Sequence, residues 1–118
     1  AISRLVSYFP PEEQDTQRKA IAANLRGVVS QRLLPCADGG SRVAAFEVMV
    51  VTPTIADMIE DPQRQSDIIE VIKSGRQHGM ISFDDYLFEL ADGGQISRDV
   101  ALGNATNVTD LKLRFQGF

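Results

Sequence analysis

The sequence predicts a mixed α/β chain: helices first, one β-hairpin, then a bundle of short helices. Three observations predict it. Asp38-Gly39 separates two apolar runs, which is a hairpin signal, and the second run, Arg42 to Val51, is rich in Val, Phe and Met. After Thr52 the apolar spacing becomes helical and is broken at short intervals by Pro, Gly and Asp-Pro. Finally, 118 residues with 43% hydrophobic and 24% charged side chains suit one compact domain and argue against disorder.

The first ten residues read as the end of a helix. Ile2, Leu5, Val6 and Phe9 fall at helical spacing behind Ala1, with no capping residue ahead, and Pro10-Pro11 stops the run. The chain is therefore expected to be a fragment of a longer protein; the alternative is a natural terminus, since helix ends need not be well capped. A second helix is predicted from Pro11 to Ser30. Pro11 suits a first helical position, and Glu12, Glu13 and Asp15 favour the positive end of the helix dipole. Ile21, Leu25 and Val28 form one face, with Arg18, Lys19 and Arg26 on a solvated side.

The hairpin follows. On its second strand Val43, Ala45, Glu47, Met49 and Val51 point one way, and Ala44, Phe46, Val48 and Val50 the other. Both sets are mainly apolar, so cover on both faces is expected. Glu47 is the exception, placed either at an edge or beside a cation. In a truncated chain the edge of this strand should be open and recruit other chains.

Thr52-Pro53 predicts a cap and first turn for a helix through Asp61, where Asp61-Pro62 breaks it. Ser66 to His78 is the next predicted helix, with Ile68, Val71 and Ile72 on one side and Gly79 as its left-handed stop. Ser82-Phe83-Asp84-Asp85 resembles a capping box, opening a helix striped by Phe83, Tyr86, Leu87, Leu90 and Ala91 and ended by Gly93-Gly94. Ser97 caps a short helix carrying Val100 and Ala101. Asn107 or Thr109 begins the last, with Leu111, Leu113 and Phe115 available for packing.

Chemistry is sparse. No phosphate-loop motif is present, and Gly39-Gly40 and Gly93-Gly94 are read as turns. One histidine, His78, and one cysteine, Cys36, exclude a zinc-spaced cluster and an internal disulfide. Cys36, behind Pro35, is read as a loop thiol, and His78 as a dipole partner near a helix C-terminus. A lone cysteine fits a reducing compartment. Asp84-Asp85 is a carboxylate pair explained by its place in a first helical turn. A net charge of -4, with aromatic residues among acidic ones, argues against nucleic acid or anionic lipid as a partner.

Four segments carry a family resemblance. Ala1-Ile2-Ser3-Arg4-Leu5-Val6-Ser7-Tyr8-Phe9-Pro10 resembles the segment after the histidine box of type IV pilus retraction (twitching-motility) ATPases. The run from Leu25 to Pro35 is similar to their helix-to-strand passage, and Arg42 to Met49 to the next strand. Gly79-Met80 with Ser82-Phe83-Asp84 resembles their C-terminal helical signature, with Gly94-Gln95-Ile96 similar to the turn after it. The lone Cys36 is closer to the retraction branch than to assembly and secretion relatives, which carry paired cysteines for zinc.

The resemblance implies a place in the secretion-ATPase superfamily. Residues 1–51 would then end a RecA-like motor core, and residues 52–118 would form the C-terminal helical region. It implies a cytoplasmic hexamer at the inner face of the inner membrane, without direct membrane insertion, whose ATP hydrolysis drives retraction through an inner-membrane platform protein. ATP and Mg would bind in the parent, whose phosphate loop, carboxylates and histidine box lie before Ala1, behind an N-terminal PAS-like domain. The chain alone is expected to hold no cofactor or metal and no catalytic residue. A free-standing helical adaptor is the alternative. The family's Ala-Ile-Arg-Asn-Leu-Ile-Arg-Glu motif corresponds here to Thr54, Ile55, Ala56, Asp57, Met58, Ile59, Glu60 and Asp61, read as a coupling motif. Its apolar positions persist as Ile55, Met58 and Ile59, while Ala56 and Glu60 replace both arginines. Retraction itself is therefore less secure than superfamily membership, and a paralogue with an accessory role is open.

Overall fold

The computed structural model describes residues 2–117, with side chains from residue 4 onward. Ala1 and the side chains of Ile2 and Ser3, part of the first stripe and of the first resembling segment, lie outside the described residues. The elements are α1 (Ile2–Ser7), α2 (Pro11–Asn24), β1 (Gly27–Pro35), β2 (Arg42–Val50), α3 (Pro53–Glu60), α4 (Ile68–Lys73), α5 (Phe83–Asp92), α6 (Arg98–Asn104) and α7 (Val108–Phe115). Two 3₁₀ segments, Pro62–Asp67 and Arg76–His78, flank α4. The predicted α/β order is present. β1 and β2 form the antiparallel hairpin, in register from Gly27 opposite Val50 to Pro35 opposite Arg42.

Two predicted helices end differently. α2 stops at Asn24 rather than Ser30, because Leu25 turns extended and the chain enters β1. Gly27 and the β-branched Val28-Val29 are weak helix formers, and pairing with β2 outweighs the helical spacing. Val28 thus lies opposite Met49, not on a face of α2. Gly27 is close to its neighbour: a Cβ there would lie 3.0 Å from the Met49 carbonyl oxygen.

The helix expected from Ser66 to His78 is reduced to α4 between the two 3₁₀ segments. Gly75 is the cause. Its carbonyl accepts from the N–H groups of His78 (2.9 Å) and Met80 (3.0 Å), folding the chain back so that Met80 is buried. A Cβ on Gly75 would stand 2.6 Å from Met80 Cε. Gly79 takes the expected left-handed conformation at φ 83°.

The apolar side chains form two clusters. One joins Val6, Ala22 and Met49 to α3, α4 and Met80; the other joins Leu34 and Ala45 to α5, α6 and α7. β2 feeds both, through Met49 and Ala45. Leu87 is fully buried at the centre of the α5 stripe, and Leu111 seats α7 on it. Leu113 points outward instead of packing, while Phe115 stacks on Phe88 with centroids 5.3 Å apart. In the α1 stripe Val6 is buried but Leu5 is exposed. Arg18, expected on a solvated side, is half-buried, whereas Lys19 and Arg26 are exposed.

Cover on the two faces of β2 is unequal. Ala45 and Met49 are buried, whereas Ala44, Phe46 and Val48 on the other face are half-buried. The open edge is also not where it was expected. Val48 and Ile81 exchange main-chain hydrogen bonds of 2.9 and 3.1 Å, which partly closes the outer edge of β2. β1 has no second neighbour among the described residues. No helix among the described residues is long and apolar enough to cross a membrane.

Candidate functional site

α3 is built for one buried and one open side. The Thr52 hydroxyl accepts from the Ile55 N–H at 3.3 Å, and Pro53 occupies the first turn, where its missing N–H costs nothing. The spacing of Ile55, Met58 and Ile59 then aims three apolar side chains at the first cluster, and all three are buried. Thr54, Asp57 and Glu60 are exposed and Ala56 is half-buried. Asp57 and Glu60 enter no ion pair among the described residues. Asp61 ends the helix and accepts from the Gln63 N–H at 3.0 Å, starting the 3₁₀ segment. The eight motif residues are therefore contiguous on one capped element, with two carboxylates free to meet a partner.

A polar junction lies where β2 and the start of α5 meet the α6–α7 connection. Ser82 caps α5 by accepting from the Asp85 N–H at 3.2 Å. The Asp85 side chain does not complete the expected capping box; it pairs with Arg114 of α7. Glu47 is neither beside a cation nor left at a bare edge. Its Oε2 accepts from the Phe83 N–H at 3.1 Å and satisfies the first turn of α5 from β2. Asp84 is buried, and its two oxygens accept from the N–H groups of Thr106 (2.7 Å) and Asn107 (2.9 Å).

Two clefts of about 290 and 340 Å³ flank this junction and share Lys73 and Asp84. Lys73 reaches Glu70 at 3.7 Å and Asp110 at 3.9 Å. On the other side Arg32 donates to the Asn104 carbonyl at 2.9 Å while lying 4.3 Å from the centre of the Phe83 ring. Glu47, Asp84 and Asp85 thus tie β2, α5, the α6–α7 connection and α7 together.

Sequence reasoning singled out α3 but missed what Glu47 and Asp84 do. Their partners lie 36 and 22 or 23 residues away, beyond any local pattern. His78 and Cys36 stand apart from both features: His78 is exposed on its 3₁₀ turn, and Cys36 is half-buried in the hairpin loop with its sulfur 3.5 Å from Ser41 Oγ.

No protein-family model matches the chain. Among curated proteins it is 33% identical over 116 residues to the type IV pilus ATPase PilU of Pseudomonas aeruginosa, covering 96% of this chain and 29% of that protein. It is 31% identical over 106 residues to a twitching motility protein of Neisseria gonorrhoeae, covering 90% of this chain and 28% of that protein. Among solved structures, the pilus retraction motor PilT with bound ADP superposes with a TM-score of 0.74 at 28% identity, over 95% of this chain and 30% of that one. The chain thus spans less than a third of the length of the relatives it matches. With sequence and fold agreeing along nearly all of its own length, it belongs to the type IV pilus retraction and twitching-motility ATPase family.

Proposed function

We propose that this chain is the C-terminal portion of a hexameric pilus motor, and that it couples ATP hydrolysis elsewhere in the parent to type IV pilus retraction. The observation that carries the reading is α3, which holds the coupling motif with its apolar residues buried and Asp57 and Glu60 open. In this reading residues 1–51 end the RecA-like core and residues 52–118 form the helical region; Thr52, which caps α3 just after β2, supports the division. Asp57 and Glu60 would transmit the motion of the core to a neighbouring subunit or to an inner-membrane platform protein. The parent would work in the cytoplasm against the inner membrane. An accessory paralogue is kept within this reading, because Ala56 and Glu60 depart from the family motif. A free-standing adaptor is not favoured, since the likeness to pilus ATPases runs along 96% of the chain.

ATP and Mg are the parent's ligands in this reading, and the residues of this chain do not fit them. There is no phosphate loop, and Glu47, Asp84 and Asp85 are each committed to main-chain N–H groups or to Arg114. No hydrolytic step is therefore assigned to this chain. Purified chain should release phosphate from ATP at the rate of a buffer blank. Magnesium-dependent turnover that a point substitution here removes would overturn this.

Glu60→Arg tests the coupling role. The side chain is exposed, so stability should stay within about 0.5 kcal/mol. Placed in the parent, in cells lacking the wild-type gene, the substitution should change the frequency of pilus retraction events. An unchanged frequency would refute the coupling role, and an unfolded variant would show that residue 60 is structural.

A further inference from the structure

We propose that Arg32 and Glu47 form a joint through which the hairpin drives α5, α6 and α7, with Arg32 as the positioning residue that passes movement to the α6–α7 connection. This role rests on the pilus-motor reading, but it runs through the hairpin and not through α3.

The register places both residues on one face of the hairpin. Val28, Ser30, Arg32 and Leu34 of β1 lie there, opposite Met49, Glu47, Ala45 and Val43 of β2. The two ends of this face are apolar and belong to different clusters. Val28 and Met49 pack in the first, and Leu34, Ala45 and Val43 in the second. Between them stand Ser30, Glu47 and Arg32. Arg32 and Glu47 are diagonal neighbours of opposite charge, within reach of a cross-strand ion pair. They form none among the described residues. Both turn to Phe83 instead. Glu47 accepts from its N–H at 3.1 Å, and the Arg32 guanidinium lies 4.3 Å from the centre of its ring.

Phe83 is the first residue of α5, and Asp84 beside it holds the N–H groups of Thr106 and Asn107. Arg32 donates at 2.9 Å to the Asn104 carbonyl. The α6–α7 connection is thereby gripped twice, at a carbonyl by the hairpin and at two N–H groups by α5. A shift of β1 reaches Asn104 and the start of α5 together, so α6 and α7 keep step with the hairpin. A guanidinium suits this use, because its planar fork lies on a ring while donating in its own plane, which an ammonium cannot do. Arg32 is exposed, so its ring contact and its hydrogen bond add only modestly to stability. Removing them should disturb transmission more than folding.

Hydrogen exchange of the full-length parent, loaded with ADP or with a non-hydrolysable ATP analogue, tests this role. In the wild type, exchange at Asn104, Thr106 and Asn107 and along α7 should differ between the two states. Arg32→Met should abolish that difference while ATP turnover stays within roughly twofold. Retraction events in cells lacking the wild-type gene should become rare. A merely structural loss would raise exchange equally in both states and leave the difference in place. Arg32→Lys keeps the charge and the aliphatic stem, so it remains informative if the methionine variant folds poorly, and it should lose most of the difference too. A difference that survives in either folded variant would overturn the role. A wild-type parent that turns over ATP but shows no state-dependent exchange along α7 would overturn the joint alone. A parent without magnesium-dependent turnover would overturn the motor reading and the joint with it.

Discussion

Replacing Ile55 with alanine should lower the stability of the chain by about 2–4 kcal/mol, the range for truncating a large buried aliphatic side chain. Ile55 is fully buried, as is Ile59 one turn later, and Met58 is almost so. The three belong to the cluster that also holds Met49, Ile68, Ile72 and Met80. Collapse of the surroundings is restrained, because α3 is pinned by the Thr52 cap at one end and by Asp61 at the other. Truncation should leave a cavity rather than a repacked core. In urea melts the midpoint should fall with little change in the denaturant slope, the mark of lost native stability. Thr54→Ala, one residue away on the exposed side, is the control and should shift stability by no more than about 0.5 kcal/mol. If the two variants melt alike, α3 is not seated as described, and it could not carry a coupling motion.

This contrast was legible in the sequence because it depends on neighbours along the chain. The same holds for the caps: Thr52, Ser82, Ser97 and Asn107 each accept from a main-chain N–H three residues on. Gly79 and the Asp38-Gly39 turn were equally local. What the sequence concealed is set by pairing over distance. Val28 fits the helical face of Ile21 and Leu25, and only the competing register with Met49 moves it into β1. Gly75 reads as an ordinary helix position until Met80 folds against it. Pattern alone places the open edge at β2, the more apolar strand. Ile81, which bridges β2, comes from a segment that pattern alone leaves as a loop. Family likeness was visible in four short segments, but it did not disclose which carboxylates bind main chain.

Asp84→Ala should cost about 2–3 kcal/mol, in line with hydrogen bonds that have a charged partner. One buried carboxylate satisfies two successive N–H groups, of Thr106 and Asn107, at 2.7 and 2.9 Å. Asn107 is also the cap of α7, whose side chain accepts from the Asp110 N–H at 3.1 Å. Asp84 thus fixes the residue that starts α7, and α7 in turn delivers Leu111 to the second cluster. Losing the carboxylate should loosen the helix beyond the two bonds themselves. Amide exchange at Thr106, Asn107 and along α7 should accelerate more than at α3, which belongs to the other cluster. Asp84→Asn separates shape from charge. The amide keeps one acceptor but turns an NH₂ toward an N–H, so it should rescue only part of the loss. Asp85→Ala is the sharper comparison, since it removes the neighbouring carboxylate and its pair with Arg114. That pair is partly exposed, and its loss should cost at most about 1 kcal/mol. Equal costs at positions 84 and 85 would mean that water replaces Asp84 at the two N–H groups and that α7 is held by the packing of Leu111 and Phe115 instead.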